Sequence, residues 1–326
     1  MEKLISFIIP SRYLENVRSF LDNIEQTISD PSQVEVLIKL DDDLPESRPF
    51  IEAEVNKRPF DIKYIITPRL EGIFSVWLPV EQLFFMSSGH FIQILSDEPR
   101  FKTKHWDLIL QKYKKFFPDD VFRLRLSSMK IANYATHYEC TFRPDSFPIY
   151  TRKWLELTEG AGNCWGSDAY QQCVAFHFAL GPGSYFNFYR EGGHCRDVVV
   201  HEIEMDGLEF GVGVSPEDQV VRHKRNLKEW NRLTSHQMQE HFSYLARRMY
   251  CYMWAYTNQI KEFKLITKEH RRTISIVDRE GKELLEVSYA VQRLVVYSQN
   301  LLRKVLTLPR IKASLMFRKL ILWASK

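Results

Sequence analysis

A chain of 326 residues, 44% hydrophobic and 26% charged, is long enough for one large domain or two smaller ones. Five cysteines without a CxxC pair argue against a zinc knuckle and a disulfide framework and for a reducing compartment. No apolar run reaches the roughly 18 residues needed to span a bilayer, and the first residues read as a strand rather than a signal peptide. The formal net charge of +4 is unevenly spread. From Val291 to Lys326 there are eight basic residues and no acid, which leaves the preceding part of the chain net acidic. Such asymmetry points to an anionic partner.

In chain order, an apolar strand over Ile5 to Ile9 enters Pro10-Ser11-Arg12. A helix from about Tyr13 to Ser29 follows, with Val17, Phe20, Leu21 and Ile24 at helical spacing. Val34 to Leu40 reads as a second strand, interrupted only by Glu35 and Lys39, and it runs into Asp41-Asp42-Asp43. A helix is expected after Pro45, a short strand over Ile62 to Ile66, and a helix from about Ser75 to Ser88. The next strand, Phe91 to Leu95, ends in Ser96-Asp97-Glu98. This alternation predicts a mainly parallel sheet flanked by helices.

Beyond a helix predicted over Trp106 to Phe116, Val121 to Leu126 and Tyr138 to Phe142 look extended, and Ile149 to Arg152 leads into a helical turn. A Gly-rich patch, Gly160 to Gly166, precedes Ser167-Asp168, which opens another helix. Val198 to Val200 reads as a strand ending at His201. Residues 215 to 270 look polar and helical, and Thr273 to Tyr289 reads as a hairpin with Glu280-Gly281 at its turn.

Acids at the end of a parallel strand point into the crevice where open α/β sheets bind ligands. The pair Asp97 and Glu98 suits a hard cation that carries phosphate oxygens, such as Mn²⁺ or Mg²⁺. Its bland counterpart is a strand end capped with solvated charge. Asp168 has the competing bland reading of an N-cap or first-turn acid of its helix, and His201 that of a plain strand-end residue.

Five segments in order, SFIIPSRYLENVRSFLDNI, VEVLIKLDDD, PRLEGIFSVW, FIQILSDEPRFKTKHWD and GSDAYQQCVAFH, make the chain resemble the GT-A nucleotide-sugar glycosyltransferases, in particular the inverting family-two group. The resemblance covers roughly Ser6 to His201. It implies a GT-A (Rossmann-like) mixed, mainly parallel sheet with a helical C-terminal extension. It further implies that Pro10, Ser11 and Arg12 sit beside the nucleotide, and that Asp41 or Asp43 contacts the base or ribose. Arg69 and Gly72 then match the loop beside the diphosphate. Asp97 and Glu98 match the metal-binding pair, with Ser96 where many members carry a first Asp, a departure that puts metal dependence in question. Asp168 matches the catalytic base, His201 a third metal ligand or phosphate contact, and Trp165 an acceptor-stacking platform.

The sequence divides into a catalytic domain over 1–215, a helical and hairpin extension over 216–290 and a basic amphipathic tail over 291–326. Apolar residues at helical spacing between the tail's basic positions fit an anionic membrane surface better than nucleic acid. The expected protein is a metal-dependent glycosyltransferase at the cytoplasmic face of a membrane. It would take a nucleotide-sugar donor and a glycan or lipid-linked acceptor, and its hairpin and tail offer a homodimer contact. The rivals are a non-catalytic GT-A-like scaffold and, lower, a nucleotidyltransferase, whose glycines after the first strand are absent.

Overall fold

A computed structural model describes the chain apart from residues 1, 71–73, 128–147, 163–166, 181–195, 207–223, 225–227, 230, 269–272 and 289–326. The expected strand over 138–142, Gly72, Trp165 and the tail over 291–326 therefore lie outside the described residues. The first half follows the predicted alternation. Strand β1 (Lys3–Pro10) is buried from Leu4 to Ile9, as a near-continuous apolar run inside a sheet covered on both faces should be. Helix α1 (Leu14–Thr27) turns Val17, Phe20, Leu21 and Ile24 inward. There follow β2 (Val34–Asp41), α2 (Ser47–Lys57), β3 (Asp61–Thr67), α3 (Phe74–Met86) and β4 (Gly89–Ile94).

These four strands run parallel in the order β3-β2-β1-β4. Four more extend the sheet: β7 (Ile149–Thr151), β6 (Arg123–Ser127), β8 (Asp197–Asp206) and β5 (Arg100–Phe101). The β4–β7, β7–β6 and β8–β5 pairs are antiparallel and β6–β8 is parallel, so the sheet is mixed but mainly parallel. Because two antiparallel steps separate β4 from β6, the C-terminal ends of β6 and β8 face the same side as those of β1 to β4.

Each face carries its own core. One joins β1 and β2 to α1, α2 and α4 (Trp106–Gln111). The other joins the opposite face to α3, α5 (Arg152–Leu157), α6 (Ser167–Leu180) and α7 (His236–Thr257). A separate antiparallel sheet, β11 (Glu283–Ser288)–β10 (Thr273–Val277)–β9 (Lys264–Lys268), contains the predicted hairpin, with Gly281 at φ 83° in its turn.

Three expectations need correction. Helix α4 stops at Gln111 instead of Phe116, because the chain tightens into three-residue turns: Lys112, Tyr113 and Lys114 donate to the carbonyls of Ile109, Leu110 and Gln111. Strand β8 does not end at His201 but continues to Asp206, since Met205 and Asp206 find partners in Phe101 and Arg100. The two-residue strand β5 supplies those partners and is too short to show in a periodicity. Residues 264–268, placed in a helical region, form β9 along β10.

Candidate functional site

The loops after β1, β2 and β3 leave one edge of the sheet together. The ladder continues past the strands, with Ser11 N–H donating to the Lys39 carbonyl (2.9 Å) and Asp42 N–H to that of Thr67 (3.1 Å). Pro10, opposite Lys39 in register, ends β1. Beyond it, Arg12 lies 3.9 Å from the Asp43 carboxylate, and Arg69 lies 4.0 Å from the same oxygen. Three predicted residues from three loops thus converge on one point. Arg69 and Asp43 are exposed, their side chains at 56% and 42%, and Arg12 is partly so. Both gaps exceed a hydrogen bond, so at this point neither guanidinium spends a donor on Asp43.

The strand order reverses between β1 and β4, where open α/β sheets bind their ligands. Ser11 and Asp97 close that switch point: the Ser11 hydroxyl donates to Asp97 Oδ2 and accepts the Tyr13 N–H (3.0 Å). Asn16 Nδ2, from the first turn of α1, approaches Asp97 Oδ1 at 3.5 Å. Asp97 is buried, Ser96 beside it is exposed and Glu98 is half-buried. Arg100 wraps the turn, donating to the carbonyls of Asp97 (2.7 Å), Pro99 (2.8 Å) and Asn16 (3.1 Å). Burial pulls its guanidinium below the ordinary value, while the charges of Asp97 and Glu98 pull it back up.

A divalent ion needs carboxylate oxygens turned to open space. Asp97 offers little: both its oxygens face α1 and the end of β1, and the fixed Arg100 charge already counters the acid pair. His201 is exposed within β8, five residues before its end. Among the described residues, no three His, Cys, Asp or Glu side chains gather closely enough to hold a metal. The expected set of Asp97, Glu98 and His201 is therefore not assembled, and the residues present fit a divalent ion poorly.

Asp41 is placed differently from Asp43. It is 4% exposed and paired with the buried Lys39 ammonium, two residues back on the same face of β2. Thr67, opposite Asp41 in register, keeps at the same strand ends a buried hydroxyl with no hydrogen-bond partner among the described residues. Lys39, Thr67, Asn16 and Arg100 were not singled out from sequence. Lys39 left a trace as the one cation in an apolar strand, two residues before an acid. Asn16 left none, because its contact lies 81 residues away.

Asp168 stands in the first turn of α6. Burial pushes its carboxyl above the ordinary carboxylate value, against the opposing pull of the backbone N–H groups of Ala169 and of Asp168 itself. No hydrogen bond or ion pair among the described residues joins it to Asp97 or to the Arg12–Asp43–Arg69 set. The Gly-rich patch serves the fold at Gly162, where φ is 93° and a Cβ would meet the Tyr170 ring at 2.2 Å. Tyr170 in turn bonds His241 of α7 at 2.7 Å, which fixes the start of the helix that carries Asp168.

No protein-family model matches the chain, and no curated protein sequence matches it. Solved structures do. The mannosyltransferase PcManGT from Pyrobaculum calidifontis, in complex with GDP-Man and Mn²⁺, aligns over 100% of this chain and 81% of its own, with TM-score 0.50 and 9% identity. The structure of S. aureus TarS 1-349 aligns over 78% of this chain and 73% of its own, with TM-score 0.43 and 11% identity. The fold is GT-A. At 9% identity the likeness to the mannosyltransferase concerns architecture alone.

Proposed function

We propose that the protein is a nucleotide-sugar glycosyltransferase. The observation that carries this reading is the convergence of Arg12, Asp43 and Arg69 at the ligand-binding edge of a GT-A sheet. Two guanidinium groups brought there from separate loops match the geometry of phosphate oxygens, which accept paired N–H donors. Asp43, exposed at the end of β2 where Asp41 is buried against Lys39, offers a carboxylate to the N–H and hydroxyl donors of the base or ribose. The GDP-Man bound to the similar mannosyltransferase supports a nucleotide-sugar as the ligand class.

In this reading Asp168 is the general base of an inverting transfer. Its carboxylate takes the proton of the acceptor hydroxyl while that oxygen attacks the anomeric carbon. The bond from the anomeric carbon to the diphosphate oxygen breaks, and its electron pair leaves with the nucleoside diphosphate. Arg12 and Arg69 stabilise the charge that collects on the leaving oxygens. Residues 1–215 carry this chemistry and 216–290 brace α6 through α7. The basic segment 291–326 lies on an anionic membrane surface, which places a glycan or lipid-linked acceptor within reach. A scaffold without catalysis is the rival reading, favoured by the inward-facing Asp97.

A panel of nucleotide sugars, assayed for donor hydrolysis and for transfer, separates the two. The glycosyltransferase reading expects turnover of one donor class that is lost in Asp168→Asn. Turnover of none by a folded protein contradicts it.

A further inference from the structure

We propose that this chain holds its nucleoside-diphosphate ligand with the guanidinium groups of Arg12 and Arg69 and without a divalent metal. The inference rests on the donor-binding reading above and concerns what supplies positive charge at that site.

Three features of the strand ends carry it. The first is the orientation of Asp97. With Ser11 Oγ on one oxygen and Asn16 Nδ2 at 3.5 Å from the other, and only 6% of the residue exposed, the carboxylate ties the β4 turn to β1 and α1. Removing Asp97 from that position to ligate an ion would leave the Ser11 hydroxyl and the Asn16 amide without their acceptor in a buried setting.

The second is Arg100. Its guanidinium is fixed by three backbone carbonyls and the Ser19 hydroxyl (3.2 Å), so it cannot swing away when a cation approaches. A permanently charged group held beside the acid pair already counters the charge that would draw a metal there, and it repels a second cation. Ser96, exposed in the position next to Asp97, adds a hydroxyl and no charge.

The third is the state of Arg12 and Arg69. They share a single carboxylate, Asp43, at distances too long for hydrogen bonds. Asp43 is exposed and can turn into solvent, leaving two forked donors to a diphosphate. Such a pair is held in wait by an acid that gives it up.

The test is calorimetric titration of UDP and of GDP into the wild type, Arg12→Ala and Arg69→Ala, each in EDTA and again in Mn²⁺. Unfolding curves confirm that each variant is folded. The proposal expects one nucleotide to bind in EDTA with a Kd within about threefold of its value in Mn²⁺. Each arginine variant should weaken that EDTA binding by about tenfold or more. Binding that appears only with Mn²⁺ overturns the proposal while upholding the donor site. So does EDTA binding that neither arginine variant weakens. Binding of neither nucleotide under either condition overturns the donor-site reading, and this inference with it.

Discussion

Asp168 is the residue whose protonation state matters most. Its folded-state pKa is raised by burial, so the ionised form is disfavoured in the fold. The sign follows: its contribution to stability is greatest below the unfolded pKa and is lost as pH rises through the folded one. In the proposed role as general base Asp168 must be ionised, so activity would run the opposite way and kcat/KM should fall as pH drops through the raised pKa. Asp168→Asn removes the buried carboxyl and, with it, the proposed base. We expect transfer to fall by about 10²- to 10⁴-fold while the melting temperature at neutral pH matches or exceeds that of the wild type. A variant that is destabilised but still active would make Asp168 a helix-terminal acid only. The strand-end acids were legible in sequence as a group, yet their separate duties were not. Asp43 meets two exposed arginines, Asp41 a buried lysine, and Asp97 a serine 86 residues away. Such pairings depend on which loops the sheet order brings together, and local spacing carries no record of that.

Among the elements, the segment just after Asp97-Glu98 sets where those acids sit. Phe101 stacks on Trp106 at 4.4 Å, and Phe7 of β1 meets both edge-on at 5.8 and 5.6 Å. Asn23 of α1 imitates a strand neighbour, donating to the Phe101 carbonyl (3.0 Å) and accepting its N–H (2.7 Å). The Trp106 indole donates to Thr27 Oγ1 (3.0 Å), and the Asp107 carboxylate takes the N–H groups of Ser29 and Asp30, both at 2.9 Å. The acid turn is therefore clamped between β1 and α1. Trp106→Ala should cost about 3 to 5 kcal/mol, the usual range for emptying a buried aromatic site, and urea unfolding measures it. A loss well under this range would mean that the aromatic cluster does not hold the turn. In sequence, Trp106-Asp107 reads as a helix opening, which is correct, but the clamp is hidden because its other half lies in α1. Strands β1, β2 and β4 were readable as apolar runs that end in turn residues or acids, and α1 by its strong helical periodicity. Strand β5, with two residues, and the last part of β8 exist only through their pairing with each other.

Over the whole molecule, the GT-A sheet brings loops from the first four strands to one edge, while α7 and the small antiparallel sheet back the face that carries α6. The tail over 291–326, with its eight basic residues, is read from sequence alone. Near an anionic surface each Lys or Arg is worth about 1 kcal/mol. A chain ending at residue 290 should thus lose sedimentation with phosphatidylserine-containing vesicles while keeping donor hydrolysis, and retained sedimentation would place the membrane contact elsewhere. The alternation of strands and helices gave the architecture early, because a parallel sheet requires crossover helices and their periodicity differs from that of strands. Whether the acids and arginines at its edge bind a nucleotide is a question of position in space. The most direct measurement is a crystal structure of the protein with a bound nucleoside diphosphate. The proposed function predicts the diphosphate at the ends of β1 to β3, with Arg12 and Arg69 donating to its oxygens and the nucleoside beside the exposed end of β2. A nucleotide bound away from that edge, or one touched by neither arginine, would contradict it.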